Sequence, residues 1–146
     1  MRASRERHRA RRAAVQGLYQ WQLTGNNVGD IETHILETAA ADGADRDYFR
    51  TLIHGVPANV TRLDDLVTPF LDRDLQSVDP VERAILRLGA FELLERPEVP
   101  WRVVISEGVE LAKQFGGEQG HRYVNAILDK AARVARAVEI EANAPR

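Results

Sequence analysis

The sequence predicts an all-α fold of about six or seven helices, and three observations carry the prediction. Apolar residues recur every three to four positions along almost the whole chain. No segment alternates apolar and polar residues as a half-buried strand does. Turn-forming clusters separate the periodic stretches, at Thr24-Gly25-Asn26-Asn27, Asp42-Gly43, "RPEVPW" and Gly116-Gly117.

The elements follow in order. A first helix covers Arg9 to Leu23, with Leu18 marking the core direction and Ala14, Val15 and Trp21 beside it. A second spans about Ile31 to Ala41 and stops near Asp42-Gly43. A third starts at Asp45 and sets Phe49, Leu52, Ile53, Val56, Val60 and Leu63 on one face. Pro57 lies inside that pattern and should kink or split it. A shorter element holds Leu66 to Leu71. The strongest start signal is "SVDPVERAILRLGAFELL": Asp79 at the N-cap, Pro80 at N1, Glu82 at N3. Val81, Ile85, Leu88 and Phe91 share one face there while Leu86 and Leu93 point nearly opposite, the pattern of a buried central helix. A helix from about Trp101 to Phe115 is closed by Gly116-Gly117 as a C′-type stop. The last helix runs from near Gln119 to about Ala142, with Val124, Ile127, Leu128, Ala131, Ala135 and Val138 as its core stripe. The chain reads as a single domain (1–146): a basic arm (1–12), an N-terminal helical subdomain (about 9–76) and a C-terminal one (about 77–142), with the seam around Asp72–Asp79.

Composition narrows the function classes. With 146 residues, 44% hydrophobic and 29% charged, the chain is long enough to fold around its own core. The net charge is only −2, but residues 1–12 carry six Arg against one Glu, so a +5 tip sits on a −7 body. That asymmetry points to an anionic partner at the tip. There is no Cys, which excludes disulfides, thiolate metal sites and a Cys nucleophile and fits a reducing, cytoplasmic setting. The basic N-terminus lacks the apolar region of a secretory signal, and no apolar run approaches the roughly 20 residues of a membrane helix.

Enzyme readings find little support. His8, His34, His54 and His121 are scattered, with no metal-ligand pair at helical spacing, so neither a metal nor a cofactor is expected. Glu107, Glu110 and Lys113 read as helix-surface pairing rather than an acid/base dyad. Nucleophile elbow, dinucleotide fingerprint and Walker loop are all missing.

Two surfaces are candidates for nucleic acid. Arg5, Arg7, Arg9, Arg11 and Arg12 form the arm; closely spaced arginines repel one another, yet bind phosphates bidentately and release counterions. On the helical wheel Arg12, Gln16, Tyr19 and Leu23 fall together on a flank about 100–160° from Leu18. A cation, an amide and an aromatic ring in one row suit unpaired bases, with phosphates on Arg and a base face on Tyr. The competing readings are a frayed, solvated terminus for the arm and an edge-of-core residue for Tyr19. The second surface is "KQFGGEQGHRYVN", with Lys113, Phe115, His121, Arg122 and Tyr123 about the double glycine; taken alone it reads rather as an ordinary helix–turn–helix connection with Phe115 plugging the core.

Three blocks occur in order: "RRAAVQGLYQWQL", "VDPVERAILRLGAFELL" and "ISEGVELAKQFGGEQGHRYVNAILDKAA". Together they resemble the NusB family of bacterial transcription antitermination factors over nearly the whole chain. The resemblance implies two packed three-helix subdomains and a non-enzymatic role. The implied role is binding single-stranded boxA RNA of ribosomal RNA operon leaders together with NusE, a small-subunit ribosomal protein, within a complex of other Nus factors on RNA polymerase. By position it implies RNA contacts at Arg5, Arg7, Arg9, Arg11, Arg12, Tyr19, Lys113, Phe115, Gln119, Arg122 and Tyr123, with Gln16 added by the wheel, and a NusE contact at Glu82. Substituting Arg11 and Arg12 by Ala is then expected to weaken RNA binding without lowering thermal stability. The chain departs from the common pattern at Ser106, Gly108, Gln119 and Ala126, and Gly108 inside a helix should cost about 1 kcal/mol against Ala. Two alternatives stay open: an accessory module of ribosomal RNA modification and a purely protein-binding helical module. The apolar flanks at Leu23 and Leu86 are open to two readings, packing within a monomer or a homodimer that hides the RNA surface.

Overall fold

The computed structural model describes residues 2–116 and 118–142. Among them the chain forms eight α-helices: α1 (Arg2–Thr24), α2 (Val28–Leu36), α3 (Arg46–Ala58), α4 (Val60–Val67), α5 (Pro80–Glu95), α6 (Trp101–Phe115), α7 (Glu118–Ala135) and α8 (Ala137–Ala142). Three short 3-10 turns lie at Ala39–Ala41, Thr68–Phe70 and Leu75–Ser77, and there is no strand among the described residues. The all-α prediction holds, with slightly more helices than expected because two predicted helices break.

The first break follows Pro57. Its ring cannot donate to the ladder and crowds the preceding turn, so α3 ends at Ala58. Asn59 then caps the end: its backbone N–H and its side-chain Nδ2 both donate to the Gly55 carbonyl, at 3.2 and 2.8 Å. The second break is at Arg136, which the periodicity placed inside one long helix. Arg136 turns inward and donates to the carbonyls of Leu93 (2.7 Å), Arg96 (3.0 Å) and Glu92 (3.1 Å). They cluster at the C-terminal end of α5, and those of Glu92 and Arg96 also accept the Arg96 and Val99 N–H groups, so the guanidinium adds a second bond there. Val138, expected in the core stripe, lies beyond this break and is 83% exposed. The second predicted helix also ends early, because Thr38 accepts from the Ala40 N–H and starts the 3-10 turn.

Helix α5 is the central strut. Its start is as expected, with Asp79 accepting from the N–H groups of Val81 (2.9 Å) and Glu82 (3.2 Å). Every residue from Arg83 to Leu93 is buried. Helix α1 lies antiparallel to it: Gln22 donates to the Pro80 carbonyl at one end (2.8 Å) and Arg11 meets Glu92 at the other. Helices α2 and α3 pack on α1, while α6 and α7 form a hairpin on α5.

Glycines set how closely that hairpin seats. A Cβ at Gly108 would lie 2.6 Å from Leu128 Cδ1, and one at Gly89 would lie 2.7 Å from Leu128 Cδ2. Leu128, fully buried, therefore wedges between α5 and α6. Gly108 is thus the space for a core side chain, which changes the expectation that it is simply a weak helix former. Gly116 ends α6 in extended backbone (φ −136°) instead of a left-handed stop. Its neighbour in the expected double-glycine stop, Gly117, lies outside the described residues.

Candidate nucleic-acid interface

The arginine arm is the beginning of α1, helical from Arg2, seven residues ahead of the predicted start. Tertiary contacts hold it. The Asp45 N–H donates to the Glu6 carbonyl (3.0 Å), the Arg7 guanidinium lies 4.3 Å from the Tyr48 ring centre, and His8 Nδ1 is 2.6 Å from Glu107. His8 Nε2 also meets the Gln114 amide at 3.1 Å.

Arg11 departs from the expectation that the arm residues face an anion. It is 3% exposed and pairs with Glu92 (Nη2 to Oε2 2.9 Å) and Glu107 (Nη1 to Oε1 3.2 Å). Glu92 is itself buried and accepts a further short bond from the Tyr48 hydroxyl. Burial opposes the charge on Arg11, but Glu92 first, then Tyr48 and Glu107, outweigh it and raise its pKa. The Tyr48 hydroxyl is pushed up by burial and by Glu92, so it stays a neutral donor. Arg11 is therefore an interior ion-pair residue joining α1, α5 and α6, and Arg7, half-buried over Tyr48, is turned the same way. Glu107, expected to pair along its own helix surface, instead spans His8 and Arg11.

The remaining arm residues stay outside. Arg5, Arg9 and Arg12 are exposed and make no ion pair among the described residues. Arg9 crosses Gly43, where φ is +71° and a Cβ would stand 2.4 Å from Arg9 Nη1. The positive φ calls for glycine there, while the Arg9 end could move aside. Arg12 lies 5.8 Å from the Phe115 ring centre. That contact joins the α1 flank to the end of α6, where Lys113 is exposed. Arg9, Arg12, Gln16, Tyr19 and Leu23 line one wall of an open groove of about 770 Å³. Its other wall is the end of α2 and the turn after it: His34, Ile35, Thr38, Ala39 and Ala40, with Asp42 at the rim. That second wall carried no signal in the sequence beyond its small residues.

A second recess of about 420 Å³ gathers Glu82, Gln119, Gly120, Arg122 and Tyr123 with Arg73. Gln119 and Arg122 are exposed. Tyr123 is half-buried; its hydroxyl donates to Asp72 (3.1 Å) and the Arg73 guanidinium stands 4.9 Å from its ring centre. Arg73 also donates to Asp72 (2.7 Å), and this bond foremost lowers the Asp72 carboxyl to about 2. Sequence reasoning missed Asp72 and Arg73, which sit in the presumed seam and carry no helical pattern. Glu82 faces Gly120, where a Cβ would be 3.2 Å from its carboxylate oxygen. Burial, then the neighbouring Asp79, raises the Glu82 pKa.

No cluster of three or more His, Asp or Glu among the described residues could hold a metal ion. No described helix is long and apolar enough to cross a membrane. The geometry thus offers two polar recesses on helix flanks, one with unpaired cations beside an exposed aromatic ring.

The sequence model described as the NusB family matches residues 8–133. The transcription antitermination protein NusB of Nitrosococcus oceani is 54% identical over 143 residues, covering 98% of this chain and 96% of the relative. Its counterpart in Alkalilimnicola ehrlichii is 50% identical over 161 residues, covering 97% and 90%. A solved structure of T. maritima NusB is similar with a TM-score of 0.78 and 32% identity, covering 87% of this chain and 90% of that one. A crystal structure of the antitermination factors NusB and NusE in complex with dsRNA is similar with a TM-score of 0.77 and 27% identity, covering 89% and 98%.

Proposed function

The chain belongs to the NusB family, and on that premise we propose that it is a transcription antitermination factor that binds boxA-type RNA of ribosomal RNA operon leaders together with NusE. It acts by binding, without catalysis, in the cytoplasm where transcripts emerge, and it joins the other Nus factors on RNA polymerase.

The observation that carries this reading is the sorting of side chains around α1. Arg7 and Arg11 turn to the interior, while Arg5, Arg9, Arg12, Gln16 and Tyr19 are left on one flank. Unpaired guanidiniums bind phosphates and release counterions; the exposed Tyr19 ring offers a face for a base. Arg12 over Phe115 carries the surface on toward Lys113. The recess of Glu82, Gln119, Arg122 and Tyr123 is the second contact region. Its carboxylate at Glu82, which has no ion pair among the described residues, is suited to a cationic group of NusE.

A fluorescence titration with boxA-like RNA, with and without NusE, tests the reading. The solved neighbour carries dsRNA, so single- and double-stranded probes are run in parallel, and tighter binding of the single strand is expected. If Arg5, Arg9 and Arg12 each meet one phosphate, the affinity falls with salt at a log–log slope of about −2, at −0.7 per phosphate. Absence of RNA binding in the presence of NusE, or binding that ignores salt, refutes it.

A further inference from the structure

The arginine arm is tied to the end of α6 by a side chain that can change its charge. His8 is half-buried, with Nδ1 2.6 Å from Glu107 Oε2 and Nε2 3.1 Å from Gln114 Nε2. The partners decide where the ring proton sits. A carboxylate only accepts, so Nδ1 carries the hydrogen. An amide nitrogen only donates, so Nε2 receives and carries none. The two contacts therefore describe a neutral imidazole protonated on Nδ1. Charges surround it. From α6 come Glu107, then Glu110 one turn on, and Lys113 beside Gln114. On α1, Arg5 and Arg12 stand one turn to either side, and Arg11 shares Glu107 (Nη1 to Oε1 3.2 Å). Behind Arg11 lie Glu92 of α5 and Tyr48 of α3.

Histidine ordinarily changes charge between about pH 5 and 8. With a second proton, both ring nitrogens donate. The contact with Glu107 is kept as an ion pair, but Nε2 then meets an amide nitrogen that also donates. That contact survives only if Gln114 turns its amide over and brings Oε1 inward. Gln114 is exposed and makes no other hydrogen bond among the described residues, so it is free to turn. The turn changes what the surface offers. Beside a neutral His8, the outward atom of Gln114 is its carbonyl oxygen, which repels phosphate oxygens. Beside a charged His8 it is the NH2 group, a phosphate donor next to the exposed Lys113 and to Phe115 under Arg12.

We propose that His8 is a positioning residue whose proton sets the Gln114 amide, so that the end of α6 gains a phosphate donor when His8 is charged. The proposal rests on the RNA-binding reading above and adds a proton-linked control of that surface.

The test titrates the full chain with NusE and a short single-stranded boxA-like RNA at about pH 5.5 and about pH 7.5. The native chain should bind about tenfold tighter at the lower pH, the scale of one hydrogen bond to a charged group. By reciprocity, RNA should raise the midpoint of the His8 titration, followed by nitrogen NMR, by about one pH unit. The same spectra of the free chain should show the Nδ1–H tautomer at the higher pH. His8→Gln cannot titrate and Gln114→Leu has no amide, so each should lose the gain at low pH while NusE affinity stays native. The variants lie on different helices, so one carries the test if the other melts below the native chain. A gain retained in both folded variants assigns the pH effect to His34, His54, His121 or Glu82 and overturns the proposal. So does a native chain that binds alike at both pH values, or an Nε2–H tautomer; the RNA reading stands in each of these cases. If the native chain binds no RNA at either pH, both readings fall.

Discussion

Replacing Arg11 by Ala should unfold the chain at a much lower temperature, whereas replacing its neighbour Arg12 should not. Glu92 is 1% exposed and takes its charged hydrogen bonds from Arg11, at 2.9 to 3.1 Å, leaving only the neutral Tyr48 hydroxyl beside it. Removing Arg11 strands that carboxylate in the interior, which costs about 3–5 kcal/mol. At about 2–4 °C per kcal/mol for a chain near this size, the melting temperature drops by roughly 6–20 °C. Arg12 is exposed and keeps only a ring contact with Phe115, worth about 0.5–1 kcal/mol. Its loss should shift melting by roughly 1–4 °C yet weaken RNA binding and flatten the salt slope by about 0.7. Thermal melts followed by helical circular dichroism separate the two. A control sharpens the cause: adding Glu92→Gln to Arg11→Ala removes the stranded charge and should recover part of the lost stability. An Arg11→Ala chain melting within about 2 °C of the native one would mean the pair with Glu92 does not hold the arm, and the assignment of Arg11 to the interior would be wrong.

Three further outcomes follow from the packing. Gly108→Ala should lower stability despite a gain of about 1 kcal/mol in helix propensity, because the new methyl meets Leu128 at 2.6 Å and overpacking costs about 1–3 kcal/mol; Leu128→Val in the same chain should relieve part of that loss, and a stabilised Gly108→Ala chain contradicts the wedge. Arg136→Ala should destabilise by more than a surface substitution, since it removes buried hydrogen bonds to three carbonyls at the end of α5, and amide exchange should quicken there first. Burial, with Asp79 behind it, raises the Glu82 pKa above its unfolded value, so the folded chain gains stability as pH falls through that raised pKa and is penalised above it. Glu82→Gln should accordingly melt higher than the native chain at neutral pH, with the difference closing near pH 4.5 and below; a pH-independent difference rules out titration of Glu82 as its source.

Helices that carry their own signals were legible from sequence. The Asp79–Pro80–Glu82 start of α5, its apolar residues on two faces and the span of α6 are local patterns, and the structure reproduces them. What escaped depends on partners far along the chain. Arg136 lies inside a helical repeat, and only the carbonyls around the end of α5, 40 to 44 residues earlier, draw it out of register. The groove wall at Ile35, Thr38 and Ala39 has ordinary residues, and its meaning comes from standing opposite α1. Asp72 and Arg73 join the recess only because the seam folds against the start of α7.

The arm itself shows how a signal can be present and still be overlooked. At about 100° per residue, Arg11 lies seven positions before Leu18 and Arg7 eleven before it, so both fall about 20° from the core direction. Arg5, Arg9, Arg12, Gln16 and Tyr19 fall about 100–180° away. Reading the run as one cationic arm hid a division that the helix period already contained. Two arginines occupy core positions and need buried acids, which Glu92 and Glu107 supply; the others follow the flank that ends in the Tyr19 groove. Anchoring and recognition are therefore separated by phase on one helix. The buried pairs fix the rotation of α1 about its axis, and that rotation decides which arginines are left exposed on the flank proposed for RNA. Loss of Glu92 or Glu107 should thus disturb RNA binding without either residue touching it.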